Sequence, residues 1–342
     1  MINKVLIIAE AGVNHNGSYE NAKKLILAGA EAGVDYVKFQ TFKANKLVSK
    51  DAEKAEYQKR NTNDEATSQY DMLKKLEMPE IWHHDLINYA KSLDVKFLST
   101  GFDEESIDFL DSINIDLFKI PSGEITNKPF LEHIAKKKKK IIVSTGMANL
   151  EEVRAAIGVL QKNGIDKNSI TILHCNTEYP TPMSDVNLKA MLSLKDAFEV
   201  NIGYSDHTLG IEVPIAAVTL GATVIEKHFT LDKNMEGPDH KASLDPMELK
   251  YMVRSIRNIE MALSGNGIKE PSASELKNIQ IARKSMHTNK SLSKGDILKK
   301  EDLIMMRPGD GISPMEIDLY LNKKVATNIP EGHKISKSDF VI

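Results

Sequence analysis

Cysteine is nearly missing from this chain: Cys175 stands alone in 342 residues. No internal disulfide can form, so the core must hold the fold, and a reducing cytoplasm is the compartment to expect. Long apolar runs are missing too. The first, Val5 to Ala9, is too short for a secretory signal or a bilayer span, and no later stretch approaches the length needed. A soluble protein without membrane contact is expected. Charge of one sign is also scarce. A net charge of -3 gives no concentrated basic face, so nucleic acid is not an expected partner. The one basic run, Lys136 to Lys140, reads as a solvated helix end ahead of the strand Ile141-Ile142-Val143.

The remaining composition, 41% hydrophobic and 27% charged, is that of an ordinary globular protein. Eight short apolar runs recur: Val5–Glu10, Tyr36–Thr41, Lys96–Thr100, Leu117–Ile120, Ile141–Thr145, Thr171–Cys175, Val200–Tyr204 and Thr223–His228. Runs apolar throughout, rather than alternating, suit parallel strands buried on both faces. Helical patterns lie between them. Ser18 is placed to cap Tyr19 to Ala32 with Gly33 as the stop, and Asn149 to cap Leu150 to Lys162 before Gly164. Pro79 opens a helix over Glu80 to Leu93. Eight alternating units predict an α/β fold, a closed (β/α)8 TIM barrel. A doubly wound open sheet is the rival, but the glycine-rich phosphate turn it would want after the first strand is absent.

Between Phe42 and Pro79 the chain is polar, charged and long for a barrel connection, which predicts a functional insert over the barrel mouth. After Met261 the stretch SGNGIKEPSASE reads as a linker. Beyond it, residues 294–304 and 331–341 repeat a pattern of Gly, apolar, Lys, Asp and a final apolar pair. That predicts a small pseudo-symmetric β-rich domain. The expected division is a catalytic barrel over 1–265, a linker over 266–284 and the small domain over 285–342.

Polar residues gather at the C-terminal ends of the strand runs, where barrel enzymes build their sites. Two of them, His207 and His228, close the seventh and eighth runs with the helix Ile211 to Leu220 between them. Either histidine alone reads as a satisfied core residue. As a pair on adjacent strand ends they point to a shared divalent metal, and two imidazoles without a third strong ligand suit exchangeable Mn²⁺ or Mg²⁺ better than structural zinc. Lys38 and Lys119 each end an apolar strand, where an unpaired ammonium would be costly. With Thr100, Ser144 and Ser205 they look like grips for a doubly charged anion such as a phosphate. A Schiff-base lysine is the alternative. Glu10 and Glu124 supply carboxylates for proton transfer or for a sugar hydroxyl. His83-His84-Asp85 reads as outer-ring surface and Cys175 as packing, while His15 either caps a helix or touches substrate.

The order IIAEAGVNHNG, YVKFQT, FKIPSGE, VSTGM, HCNTEYPTP, GYSDHT, IEKHFT, GPDH and MMRPGDGIS resembles the bacterial sialic acid (nonulosonic acid) synthases across essentially the full chain. The resemblance implies a TIM barrel followed by an antifreeze-like SAF domain. It also implies condensation of phosphoenolpyruvate with an N-acylated mannosamine and water, releasing phosphate. By position it implies His207 and His228 as metal ligands, usually for Mn²⁺, with Mg²⁺ or Co²⁺ possible. Lys38, Thr100, Lys119, Ser122, Ser144 and Ser205 fall around phosphoenolpyruvate, with Glu10 beside the reacting centre. Gln40, Tyr179 and Asp239 hold the open-chain sugar. Arg307 reaches the acylamino group across a domain-swapped homodimer. Phe39 and Gly101 stand where neuraminate-type enzymes often carry His and Pro, and Thr177 where they carry Asn. The insert around Ala55 to Lys59 and the phrase Lys119 to Ile125 look more like the legionaminate branch. The acceptor this implies is 2,4-diacetamido-2,4,6-trideoxymannose, with N-acetylmannosamine as the alternative.

Overall fold

The computed structural model describes residues 4–62 and 68–341, so the part of the expected insert at 63–67 lies outside the described residues. The chain divides into two compact units, Met1–Ser264 and Gly265–Ile342.

In the first unit the apolar runs become eight strands. They are β1 (Leu6–Gly12), β2 (Tyr36–Thr41), β3 (Lys96–Gly101), β4 (Leu117–Ile120), β5 (Lys140–Ser144), β6 (Ile170–His174), β7 (Asn201–Asp206) and β8 (Val224–His228). They pair in the order β3-β2-β1-β8-β7-β6-β5-β4, and every ladder is parallel. β3 and β4 lie side by side where the ring meets itself. The fold is the TIM barrel that the strand and helix alternation predicts. Side chains such as Ile7, Ile8, Phe118, Ile172 and Ile225 are buried whichever way they point, because helices cover the outer face of each strand.

The helices are α1 (Tyr19–Ala32), α2 (Ala44–Leu47), α3 (Glu56–Thr62), α4 (Gln69–Leu76), α5 (Glu80–Ser92), α6 (Glu104–Ser112), α7 (Lys128–Ala135), α8 (Leu150–Lys162), α9 (Ala190–Phe198), α10 (Glu212–Thr219), α11 (Pro246–Ala262) and α12 (Ala273–Ala282). Local chemistry sets their ends. Ser18 accepts from the Asn21 amide at the start of α1, and α8 begins with a reciprocal box between Asn149 and Glu152. On α5 the surface reading of His83 fails. The imidazole is fully buried, 2.9 Å from Thr41 Oγ1 and packed edge-on to Phe109, because the apolar stripe of α5 turns this position toward the barrel.

The long connection after β2 is not a loop. It folds as α2, α3 and α4 and buries a small cluster of its own, Val13, Phe42, Met72 and Leu76. Its residues line the same cavity as the strand-end side chains, so it forms a lid on the barrel mouth.

The second unit opens with α12, which lies inside the stretch read as a linker and buries none of its residues. A Ser272–Glu275 capping box starts this helix. Then β9 (Ser285–Thr288) pairs antiparallel with β10 (Leu303–Met306). The internal repeat has a visible cause. Gly295 and Gly332 both take positive φ, 96° and 77°, which glycine adopts without strain. Seven residues after each glycine an aspartate, Asp302 or Asp339, caps a matching 3₁₀ turn. Met286, Leu298, Val325, Ile335 and Phe340 give this unit its own small core.

Candidate active site at the barrel mouth

Strand register, more than any single motif, assembles the site. In a parallel barrel, paired residues point the same way, so the ladders decide which inward side chains meet. Glu10 pairs with Lys38 on one side and with His228 on the other. Gln40 pairs with Thr100, and Ser205 with Glu226. The β1 ladder slips between Glu10 and Gly12, a bulge of the kind that re-aims side chains beside active sites. Gly12 follows at φ 51°, and a Cβ there would stand 3.3 Å from Glu10 Oε1 and 3.4 Å from both Gln40 Nε2 and His228 Cε1. A side chain at this position would therefore intrude on the site.

The floor of the cavity, about 560 Å³, is a buried network of four charges. Lys38 Nζ lies 2.6 Å from Glu10 Oε2 and 3.4 Å from Glu226 Oε2, and donates to Thr100 Oγ1 at 2.9 Å. Lys119 Nζ lies 3.2 Å from Glu226 Oε1, which also accepts from Ser205 Oγ at 2.9 Å. Burial works against every one of these charges. It pushes Glu10 up, helped by the charge on Glu226, and it pushes Lys119 down. Burial also opposes the charge on Lys38 and Glu226. There the neighbours win: Glu10 and Glu226 raise the ammonium, and Lys119 with Lys38 hold the Glu226 carboxyl well below its usual range. Two ammoniums thus line the cavity with two carboxylates paired beside them. Ser144 Oγ, also at this floor, is buried with no partner.

Beside the network stand the two histidines, with ring centres 5.4 Å apart. His207 Nδ1 lies 2.5 Å from the Asn176 carbonyl. A carbonyl can only accept, so Nδ1 carries the proton and Nε2 keeps its lone pair. Burial pushes His207 down to about 4 and lowers His228 as well, so both rings are neutral and ligand-ready. His228 Nδ1 is buried and unpartnered. Among the described residues no group of three or more His, Cys, Asp or Glu side chains is arranged around a metal position. The donor set therefore fits an exchangeable divalent ion completed by water or substrate, not a closed structural site.

The remaining sequence candidates divide. Gln40, Ser122, Tyr179 and Asp239 line the cavity. Gln40 Nε2 donates to Glu10 Oε1 at 3.3 Å, and Ser122 Oγ accepts from the Gly146 amide at 3.0 Å. The Tyr179 ring lies 4.1 Å from the His207 ring and stacks on Tyr57 of the lid at 4.9 Å. Asp239 is pushed up to about 7 by burial and then by the charge of Glu10. Glu124 is not among the lining residues; half-buried, it accepts from Asn127 at 2.6 Å next to the start of α7. Arg307 belongs to the second unit, where its Nε donates to the Ala282 carbonyl. Cys175 lines the cavity 3.3 Å from Ser122 Oγ. His15 is buried and accepts from the Gly17 amide through Nδ1 at 3.0 Å.

Two groups escaped the sequence reading. Glu226 bridges both lysines, and its signal was present: two positions before His228 on a strand, it must face the same way. The three lid helices are the other. Their polar composition concealed Met72 and Leu76 at a helical i, i+4 spacing.

Comparison with known proteins gives this geometry a context. The model of the NeuB family matches residues 25–269, and that of the SAF domain matches residues 283–341. The N,N'-diacetyllegionaminic acid synthase of Campylobacter jejuni is 56% identical over 97% of this chain and 99% of its own length. The protein of the same name from Legionella pneumophila is 53% identical over 95% of this chain and 92% of its own. The crystal structure of an N-acetylneuraminic acid (sialic acid) synthetase from Leptospira borgpetersenii superposes with a TM-score of 0.70 at 33% identity. It covers 81% of this chain and 90% of that one. A family model spanning most of the barrel, and relatives aligned over nearly every residue, agree with the architecture: this chain belongs to the NeuB family.

Proposed function

We propose that the protein is an N,N'-diacetyllegionaminate synthase. It joins phosphoenolpyruvate to 2,4-diacetamido-2,4,6-trideoxymannose and releases phosphate, as a C–C bond-forming transferase of cell-surface carbohydrate biosynthesis. The observation that carries the reading is the balanced floor of Glu10, Lys38, Glu226 and Lys119 beside two neutral imidazoles. A trianionic substrate needs such ammoniums, and an aldehyde needs an electrophilic partner next to them.

Each residue then has a task. Lys38 and Lys119, with Thr100, Ser122, Ser144 and Ser205, hold the carboxylate and phosphate of phosphoenolpyruvate. They stabilise the charge that grows on the bridging oxygen when the C–O bond breaks. Glu10, whose carboxyl burial pushes upward, is suited to pass a proton to the new hydroxyl as C3 of phosphoenolpyruvate bonds to the aldehyde carbon. Water adds at C2 and gives its proton to the Glu10 carboxylate, and the tetrahedral intermediate expels phosphate by C–O cleavage. Gln40, Tyr179 and Asp239 orient the sugar. A divalent ion held by His207 and His228, for which we favour Mn²⁺, would supply Lewis-acid polarisation of the aldehyde. We place the enzyme in the cytoplasm as a homodimer in which Arg307 of the SAF domain reaches the sugar of a partner. We also take the barrel to end near residue 265 and the SAF domain to begin near 285. Among the described residues no helix is long and apolar enough to cross a membrane.

The test is phosphate release from phosphoenolpyruvate with the diacetamido sugar. Release should stop with chelator, return with Mn²⁺, and leave no borohydride-trapped adduct on Lys38 or Lys119. No release with any N-acyl mannosamine would sink the reading, and a trapped adduct would point instead to a Schiff-base aldolase.

Asp239 adds a pH test. Sugar hydroxyls donate best to an ionised carboxylate. Since burial pushes Asp239 up to about 7, the sugar KM should fall as pH rises through that region. Asp239→Asn should flatten this limb; if the limb survives the substitution, another group is responsible.

A further inference from the structure

The cavity is polar at its floor and apolar on one wall. That wall consists of Leu47 on α2 and Met72, Leu73 and Leu76 on α4, with Val13 and Phe102 beside them. It belongs to a small apolar cluster separate from the barrel core. The lid is fixed over the mouth by the Tyr57–Tyr179 stack and by Asn61, which donates to the Pro238 carbonyl at 2.8 Å. Nearby lid amides are engaged with each other: Gln58 Oε1 accepts from the Ala55 amide at 3.0 Å and from Gln69 Nε2 at 3.3 Å. A sugar held by its aldehyde at the floor would have its other end toward the mouth, which this wall borders.

We infer that this lid wall is the subsite for the C4–C6 end of the acceptor, and that it selects a C6 methyl over a C6 hydroxymethyl. The inference rests on the synthase reading of the same cavity. A C6 hydroxyl placed here would lose its water and face methylene and methyl groups, whereas a methyl leaves nothing unpaired. Apolar pockets reject an added hydroxyl only modestly, so the expected preference is about 10- to 200-fold in kcat/KM, not an absolute barrier.

N-Acetylmannosamine and its 6-deoxy counterpart differ by that one hydroxyl and isolate the effect. The wild-type protein should favour the 6-deoxy sugar within the range above. Leu73→Asn and Met72→Gln should each cut that preference roughly tenfold, through a higher KM for the deoxy sugar, while the KM for phosphoenolpyruvate moves by no more than about twofold. A lid that had merely unfolded would raise both KM values, so the half-buried Leu73 position serves as the milder variant. Equal kcat/KM for the two sugars in the wild type, or a preference untouched in both variants, overturns the inference while leaving the synthase reading intact. Turnover of neither sugar, nor of the diacetamido sugar, removes the synthase reading and this inference with it.

Discussion

Glu226→Gln should reduce kcat/KM for phosphoenolpyruvate by about 10²- to 10⁴-fold, measured by phosphate release at saturating sugar. The range corresponds to the roughly 3–5 kcal/mol lost when one partner of a buried ion pair is removed. Glutamine keeps the shape and can still accept from Ser205, but it brings an amide where two ammoniums need charge. Lys38 retains Glu10 at 2.6 Å, so it should stay protonated. Lys119 is the vulnerable one. Burial already pushes it down, and Glu226 is the foremost charge opposing that push. Once the carboxylate is gone its pKa falls further. A lysine is charged below its pKa, so the alkaline limb of kcat/KM should move to lower pH in the variant. Activity within about threefold of wild type, with an unmoved alkaline limb, would show that Glu226 does not sustain the lysine charges.

The fold was legible because barrel strands advertise themselves. Runs such as Phe118–Ile120 and Ile141–Val143 are apolar on both faces, a pattern that an exposed sheet would not tolerate. Serine, asparagine and glycine marked the ends of α1 and α8. The site was legible to the extent that its residues end strands: Glu10, Lys38, Lys119, His207 and His228 all converge. Pairing was the part that stayed hidden. Nothing local to Ile225-Glu226-Lys227-His228 says that Glu226 faces two lysines from β2 and β4 while Lys227 faces Asp206. Only the barrel register brings residues so distant in sequence into contact. The lid's place over the mouth was legible, but its helices were hidden for another reason. Short helices in a charged segment carry a weak periodic signal, and their apolar residues are few.

Lys227 yields the second large effect, and it is one of stability. Its ammonium bonds the Asp206 carboxylate and, at 2.7 Å, the Thr208 carbonyl, and neither side chain of the ion pair has any exposed surface. Because strand side chains alternate, this pair points outward from β7 and β8, away from the cavity that their neighbours His207 and His228 line. Burial pushes Lys227 down against the pull of Asp206. Lys227→Met preserves length and apolar packing but leaves the carboxylate, among the described residues, with the Thr208 amide and hydroxyl as its donors. An uncompensated buried charge costs about 3–5 kcal/mol, which for a unit this size lowers Tm on the order of 10 °C. The double variant Lys227→Met with Asp206→Leu removes both charges, and it should recover much of that loss because the isolated carboxylate no longer exists. The signature is therefore a non-additive cycle, read by thermal or urea unfolding, in which the double variant is more stable than Lys227→Met alone. If the two substitutions simply add, the ion pair is not what joins the outer faces of β7 and β8. The two imidazoles would then owe their approach to the inward contacts alone, the Asn176 carbonyl on His207 and the Tyr179 ring packed against both.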